Sequence, residues 1–444
     1  MGDHSLKSTK SNTEEPAASS TEPTTHGRFR VALAKAKTTS LKPFSQYVIG
    51  GLAFEVDTRY AIKSVVGRGA YGVVCAAVDT SARSLPPASD KTLLGRPPCN
   101  TVAVKKCIEP FNNQTDCKRL LREIRLLRCL RHPNVLRLSD LMPPASLSPN
   151  TWKDVYLVTR LFDTNLHRVI YSGQPLTDPH VQYIVWQLFR ALRYLHAAQV
   201  VHRDMKPTNL LLNRNCELAL ADFGMARYMP AAEERKSSNF VSSTSGAEPR
   251  SKSGQLTKYV VTRWYRAPEL LVQNKRYDSK VDMWSVGCIL AEVIGAKAFF
   301  PGKDSLHQLR LVVEKLGTPS PEELVVIENE EAVKYIMRLR HKDSEGPQPS
   351  VRARLTMLFA NAAPLLLHLL AQLLQFDPAK RLTASEALSH PYLAAYHDAP
   401  EEDLPAAEIE MDFEQQSPTK EELRSLVWEE VLRYHPDLRN RNRF

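Results

Sequence analysis

The chain has no closely spaced cysteine pair, no apolar run long enough to cross a bilayer and no dense basic block. Its seven cysteines (Cys75, Cys99, Cys107, Cys117, Cys129, Cys216 and Cys288) form no Cys-x-x-Cys. That spacing excludes the common zinc frameworks, and the odd count predicts reduced thiols in an intracellular protein, cytoplasmic or nuclear. The longest apolar stretch, Pro364 to Phe376, is interrupted by His368 and Gln372. It reads as a buried helix, so no membrane span is expected. Lys and Arg number 59 against 49 Asp and Glu, a net charge of +10. The basic residues are scattered and not interleaved with aromatics, which argues against a nucleic-acid partner and for a solvated surface with a lysine excess. After Met1-Gly2, position 6 is Leu6 where a myristoylation signal carries Ser or Thr. Asp3, Glu14, Glu15 and Glu22 disfavour a transit peptide, so neither signal is expected.

What is present begins with an ordinary globular composition, 43% hydrophobic and 24% charged over 444 residues, enough for about two to three domains or lobes. Residues 1–53 are rich in Ser, Thr, Pro and Lys with few apolar anchors and read as a disordered extension. Order is expected from Phe54, first as short strands with one helix over Asp116–Leu130. A proline-rich polar insertion interrupts this part at about 79–100. From Asp163 to Leu393 the pattern is mostly helical: Pro179–Ala198, Val281–Gly295, Ser305–Leu316 and the Leu-rich run near 370. Ser237–Gly254 is polar and aperiodic and reads as a mobile loop. The segment 394–444 has an acidic, proline-spaced part and then an amphipathic helix, Lys420–Arg433. No internal repeat stands out.

The densest chemistry lies in His202-Arg203-Asp204-Met205-Lys206-Pro207-Thr208-Asn209 and, a little further on, Asp222-Phe223-Gly224. The apolar runs Leu210–Leu212 and Leu218–Ala221 between them read as paired strands, with both polar clusters on turns at one end. The set offers a carboxylate to accept a hydroxyl proton (Asp204), an ammonium for a moving phosphoryl group (Lys206) and two oxygen ligands for Mg²⁺ (Asn209 and Asp222). That is the equipment of phosphoryl transfer. Gly67-Arg-Gly-Ala-Tyr-Gly72 alone is ambiguous between a dinucleotide turn and a phosphate-covering loop. The β-branched Val73-Val-Cys-Ala-Ala-Val78 that follows is a strand and not a helix opening, which decides for the loop. In Val102-Ala-Val-Lys-Lys106, Lys105 points inward from an apolar strand. A lysine is rarely buried alone, and Glu123 on the next helix is the expected partner. At about 4 Å and an effective dielectric near 20 such a pair is worth roughly 4 kcal/mol before desolvation. Lys106 is expected on the opposite, solvated face.

Taken together these clusters resemble the catalytic and Mg-binding loops of protein kinases. Thr257-Lys258-Tyr259-Val-Val-Thr-Arg-Trp-Tyr-Arg-Ala-Pro-Glu269 narrows the resemblance to the mitogen-activated protein (MAP) kinases. The resemblance runs from about Phe54 through the last helix and implies an α+β, two-lobed kinase fold. The small lobe would span 54–162 and the large lobe 163–393, with an activation segment over 222–269 and a long loop at 228–256. It implies a serine/threonine protein kinase, proline-directed and active as a monomer, that uses ATP and Mg²⁺. Its activation would follow dual phosphorylation of Thr257 and Tyr259 by an upstream dual-specificity MAP kinase kinase.

By the same resemblance Asp204, Lys206, Lys105 and Glu123 are catalytic, and Asn209 and Asp222 bind the metal. Gly67, Arg68, Gly69, Ala70, Tyr71, Gly72, Val74, Lys105, the gatekeeper Thr159, the hinge residues Arg160 and Phe162, and Asn165 line the nucleotide site. Arg203, Arg227, Arg119 and Arg122 are the cations for phospho-Thr257, and Arg263 and Arg266 those for phospho-Tyr259. Asp282 would brace the catalytic loop and Arg381 would pair with Glu269. Asp398, Glu401 and Glu402, with Asp403, resemble an acidic patch for docking-motif peptides of protein substrates and activators. Three departures stand out: Lys258 in the middle of Thr-x-Tyr, Asn165 where a ribose-contacting acid is usual, and the long loop. Two other readings fit the same fold, a cyclin-dependent-type kinase needing a regulatory subunit and a catalytically silent scaffold.

Overall fold

The computed structural model of the chain describes residues 31–38, 43–69, 72–81, 100–145, 152–229, 262–340, 348–397 and 409–439. Ala70, Tyr71, Thr257, Lys258, Tyr259, Asp398, Glu401, Glu402 and Asp403 lie outside the described residues, as do Cys99 and most of the 79–100 insertion and the 228–256 loop.

Among the described residues eight strands build the small lobe. β1 (Val31–Thr38), β2 (Pro43–Ile49) and β3 (Leu52–Asp57) make an antiparallel sheet in that order. β4 (Tyr60–Gly69), β5 (Gly72–Asp79), β6 (Thr101–Cys107), β7 (Leu138–Met142) and β8 (Val155–Arg160) make a second, ordered β4-β5-β6-β8-β7. The helix α1 (Gln114–Cys129) sits between β6 and β7. Its amino end is closed by Asn113, whose side chain accepts the Asp116 N–H at 2.8 Å.

The two sheets pack face to face. Val102 and Val104 of β6 alternate toward a core shared with Ile49, Phe54, Val56, Tyr60 and Tyr156. This corrects the expectation for residues 1–53. The part from Val31 pairs into the β1–β2–β3 sheet, and Phe44, Tyr47 and Ile49 are buried. Tyr47 and Ile49 alternate as strand residues do, but the signal spans too few residues to register beside the polar tail. The same sheet overturns the reading of Lys106. Its face of β6 is covered and not solvated, so Lys106 is buried, paired with Asp154 at 2.7 Å and packed over the rings of Phe54 and Tyr156.

The large lobe is helical around α2 (Leu166–Ile170), α3 (Asp178–Ala197), α4 (Pro268–Leu271) and α5 (Lys280–Gly295). The helices Ser305–Leu316 and Pro364–Leu373 pack with them into one core that includes the fully buried Trp284. At its base Arg381 is bidentate to Glu269, at 2.6 and 2.8 Å, both buried, as expected. After the large lobe the chain returns to the small one: the helix Lys420–Tyr434 packs along α1. Among the described residues no helix is long and apolar enough to cross a membrane.

Ile49 of β2 is fully buried, so Ile49→Ala opens a cavity there. It should destabilise the protein by about 2–5 kcal/mol in urea denaturation. A loss below about 0.5 kcal/mol, the range of surface changes, would place this segment outside the cooperative unit.

Candidate active site

Two short antiparallel strands, Leu210–Leu212 and Leu218–Leu220, carry the two polar clusters on turns at one end, as their apolar runs predict. The first turn is pinned from below. Asp282, fully buried on α5, accepts the N–H groups of His202 and Arg203 at 2.8 Å each and a ring nitrogen of His196 at 3.1 Å. Burial would raise this carboxyl, but the His196 hydrogen bond and the His202 contacts hold it below the ordinary carboxylate value. Arg203 and Asp222 both sit in left-handed backbone conformations, φ 64° and 68°. Non-glycine residues pay roughly 1–2 kcal/mol for that geometry, so it persists only where the surroundings over-determine it.

Within the turn Lys206 Nζ donates to Asp204 Oδ2 at 2.6 Å, and the Asn209 amide donates to the Asp204 carbonyl oxygen at 2.9 Å. Asp204 Oδ1 is buried and, among the described residues, has no hydrogen-bond partner. A buried carboxylate oxygen with no partner keeps its capacity to accept a hydrogen bond. Burial, helped by the charge of Asp222, pushes the Asp204 carboxyl above its ordinary value against the pull of Lys206. Asp222 goes the other way. Burial opposes its charge, but Lys105, Lys206 and His202 outweigh that and hold it low. Two neighbouring carboxyls with pKa values driven apart are separated in role, one fit to take a proton and one to stay an anion.

The sheet supplies the third element. Lys105 lies opposite Val74 on β5 and Leu157 on β8, and its Nζ meets Glu123 Oε1 of α1 at 2.5 Å. Burial works against the ammonium, but Glu123 restores it and keeps Lys105 charged above its ordinary value. β4 and β5 pair antiparallel, with Gly69 opposite Gly72. A Cβ on Gly72 would fall 1.8 Å from the Lys106 carbonyl oxygen, so glycine is required there by the approach of β6. Thr159 is buried at the end of β8, with Arg160 and Phe162 stacked just after it.

Several expected nucleotide contacts are narrower than the sequence suggests. Arg68 turns its guanidinium to the Gly50 carbonyl oxygen at 2.9 Å, so the glycine loop offers backbone and not this side chain. Asn165 uses its amide oxygen to cap α2, accepting the Arg168 N–H at 3.0 Å, which leaves its amide NH₂ for a ribose. The cations divide. Arg122 and Arg203 converge on the turn after Asp222, donating to the Gly224 carbonyl oxygen at 2.5 Å and the Met225 carbonyl oxygen at 2.9 Å. Arg227 joins them on the next short strand. Arg119 lies 3.6 Å from Asp116 on α1, and Arg263 donates to the Lys303 carbonyl oxygen at 2.9 Å. Two participants had no legible signal: Tyr277, whose hydroxyl accepts from Arg203 at 2.6 Å, and Glu414, 2.5 Å from Arg122.

The donors present suit a hard cation with an anionic polyphosphate: the carboxylate Asp222, the Asn209 amide oxygen and the fixed ammonium Lys105. A β-rich lobe over a helical lobe, with this site between them, is the architecture of a protein kinase. Residues 91–393 match the protein kinase domain. That match begins inside the 82–99 stretch, yet β4 and β5 belong to the same sheet as β6. The chain is 42% identical over 396 residues to the mitogen-activated protein kinase homolog MMK2 of Medicago sativa, covering 89% of this chain and 94% of that one. It is 41% identical over 394 residues to mitogen-activated protein kinase 5 of Oryza sativa subsp. indica, covering 88% and 94%. Against mitogen-activated protein kinase 3 of Arabidopsis thaliana it is 40% identical over 394 residues, again 88% and 94%. The chain belongs to the MAP kinases and is a serine/threonine protein kinase. That membership implies ATP with a divalent cation, protein substrates and upstream kinases.

The charge of Lys206 lowers the Asp204 carboxyl, so Lys206→Met should raise it further. With Asp204 as the group that takes the hydroxyl proton, the acid limb of kcat/KM against pH would then move to higher pH. Profiles of wild type and variant with one peptide substrate test this, and coincident acid limbs would remove Asp204 as the group that sets them.

Proposed function

We propose that the site transfers the γ-phosphoryl group of ATP to serine or threonine followed by proline, with Asp204 as the proton acceptor or orienter of the substrate hydroxyl. The observation that carries this reading is the orphaned Asp204 Oδ1 beside Lys206 and within the field of an anionic Asp222. Asn209 and Asp222 are the residues that would hold Mg²⁺. Lys105, fixed by Glu123, would orient the α- and β-phosphates, and Lys206 would stabilise charge on the transferred group. Bound Mg-ATP supplies the phosphoryl donor and a Lewis acid that neutralises its oxygens. The glycine loop over 67–72, with Val74, Thr159, Arg160, Phe162 and Asn165, would enclose the nucleotide.

Phosphates on Thr257 and Tyr259 would complete activation. Each brings about −1.5 to −2 charge and orders a segment only where cations meet it. Arg122, Arg203 and Arg227, brought together at the Gly224–Met225 turn, are the receivers assigned to phospho-Thr257, with Arg119 of α1 as a further one. Arg263 and Arg266 are assigned to phospho-Tyr259. Asp398, Glu401 and Glu402 would take the basic residues of docking peptides. The protein would act as a monomer in the cytoplasm and nucleus.

Lys105→Met and Asp222→Asn should each keep the fold and lose more than roughly tenfold in turnover at saturating Mg-ATP, since catalysis here is positioning and charge stabilisation. Turnover within a few-fold of wild type in either would overturn the role assigned to it. A folded wild type that transfers no phosphate under any phosphorylation state would favour the scaffold, and activity that appears only with an added protein subunit would favour the cyclin-dependent type. Lys258 makes the activation motif basic. An activator that prefers an acidic middle residue should phosphorylate Lys258→Glu faster than wild type, and equal rates across a panel of activators would remove Lys258 as a selectivity element.

A further inference from the structure

The segment 410–418 runs antiparallel to α1 and is strapped to it residue by residue. Arg125 donates to the Glu410 carbonyl oxygen at 2.8 Å and lies 5.3 Å over the ring of Phe413. Lys118 donates to the Gln416 carbonyl oxygen at 3.0 Å, and Gln114 to that of Pro418 at 2.7 Å. At the centre of the strap, on the short helix Asp412–Gln415, Glu414 places Oε1 2.5 Å from Arg122 Nε and Oε2 3.9 Å from Arg227 Nη1. The three side chains are 10%, 8% and 10% exposed, for Glu414, Arg122 and Arg227.

A carboxylate therefore already stands among the arginines at the turn that follows Asp222. The surroundings show why an anion is needed. Burial and the charge of Arg203 depress the Arg227 guanidinium, Arg122 adds to this, and Glu414 acts against them. Glu414 is a carboxylate bridging the like charges of Arg122 and Arg227, and removing one partner from a buried charged cluster is strongly unfavourable. Arg122 also holds the Gly224 carbonyl oxygen, and its neighbour in sequence is Glu123, the partner of Lys105. A force that displaces Arg122 thus displaces Glu123 with it.

We propose that Glu414 is a positioning residue for phosphoryl transfer: as the resident anion of the Arg122–Arg227 cluster it keeps Glu123 on Lys105 when the chain carries no phosphate. The proposal rests on the roles assigned above to Lys105, Glu123 and the arginines. Glu414 shares the cluster with an incoming phosphate and does not compete with it. Arg122, Arg203 and Arg227 bring three guanidinium groups to this turn, and a phosphate, with a charge of about −1.5 to −2, can meet Arg203 beside the pair that Glu414 bridges. Once that phosphate is in place the cluster holds a second anion, and α1 depends less on Glu414.

The test compares full-length wild type, Glu414→Gln and Glu414→Asp, each unphosphorylated and fully phosphorylated. The readouts are turnover of a short peptide lacking a docking motif at saturating Mg-ATP, and hydrogen exchange over 114–129. Glu414→Gln should lower unphosphorylated turnover by about tenfold, the value of one charge-assisted contact, and speed exchange of α1. After phosphorylation both differences should shrink to within about twofold, and Glu414→Asp, which keeps the charge, should fall between. An equal loss in both states would make Glu414 a structural tether only. No loss in either state would overturn the proposal, as would a gain in the unphosphorylated state, which would mark Glu414 as a competitor of the phosphate. Should Glu414→Gln be too unstable to assay, the exchange and turnover of Glu414→Asp against wild type decide in the same way. A wild type that phosphorylation does not accelerate would fail the receiver roles assigned to the arginines, while the unphosphorylated comparison would still judge Glu414.

Discussion

The contact between Lys105 and Glu123 is the constraint on which the rest of the molecule depends. It links the central strand of the larger sheet to the helix beside it across 2.5 Å, with Glu123 buried and Lys105 partly buried. Charges held that deep are tolerated only in good geometry with matched partners, because desolvation offsets most of their attraction. The position of α1 is therefore the variable that decides whether the pair exists. The chain fixes α1 from its other side with a second set of buried charges: Glu414 on Arg122, and Glu430, almost wholly buried, on Arg125 and Arg128 at 3.2 and 2.7 Å. The described part of the carboxy-terminal segment thereby reaches Lys105 through one helix.

The catalytic turn is governed by the same rule from below. One buried carboxylate, Asp282, satisfies two backbone N–H groups that a left-handed turn leaves pointing inward. The turn in turn sets Asp204 and Lys206 at 2.6 Å. From there the opposite drifts of Asp204 and Asp222 follow without any special residue chemistry. Asp204 has one ammonium nearby and a like charge in Asp222, whereas Asp222 lies in the field of two lysines. Two aspartates of the same intrinsic acidity are made different by which cations the fold puts beside them.

Legibility followed the distance over which each interaction is encoded. The catalytic turns, the paired strands between them, the strand nature of Val73–Val78 and the long helices were readable because each is set by neighbours within a few residues. Long-range pairs were readable where a family motif named both ends, as with Lys105 and Glu123, Asp282 and the catalytic turn, or Glu269 and Arg381. Lys106 was misread for want of that information. Alternation places it opposite Lys105, but what lies on that side is a sheet built partly from residues whose composition looks like a solvated tail. Once β2 and β3 cover the face, the aliphatic stem is buried between aromatic rings, and Asp154 takes the charge.

By itself, then, the sequence determined the fold class and the class of reaction, since these rest on local spacing and on turn chemistry. Tertiary structure alone decided which charges meet where no motif names both ends. Nothing in Met411-Asp-Phe-Glu414 distinguishes that glutamate from the other acids of an acidic, proline-spaced stretch, and it lies some three hundred residues from Arg122. Its role arises because the last helix returns to the small lobe and lays the preceding segment along α1. There burial removes water as a competing partner and makes one carboxylate among arginines matter.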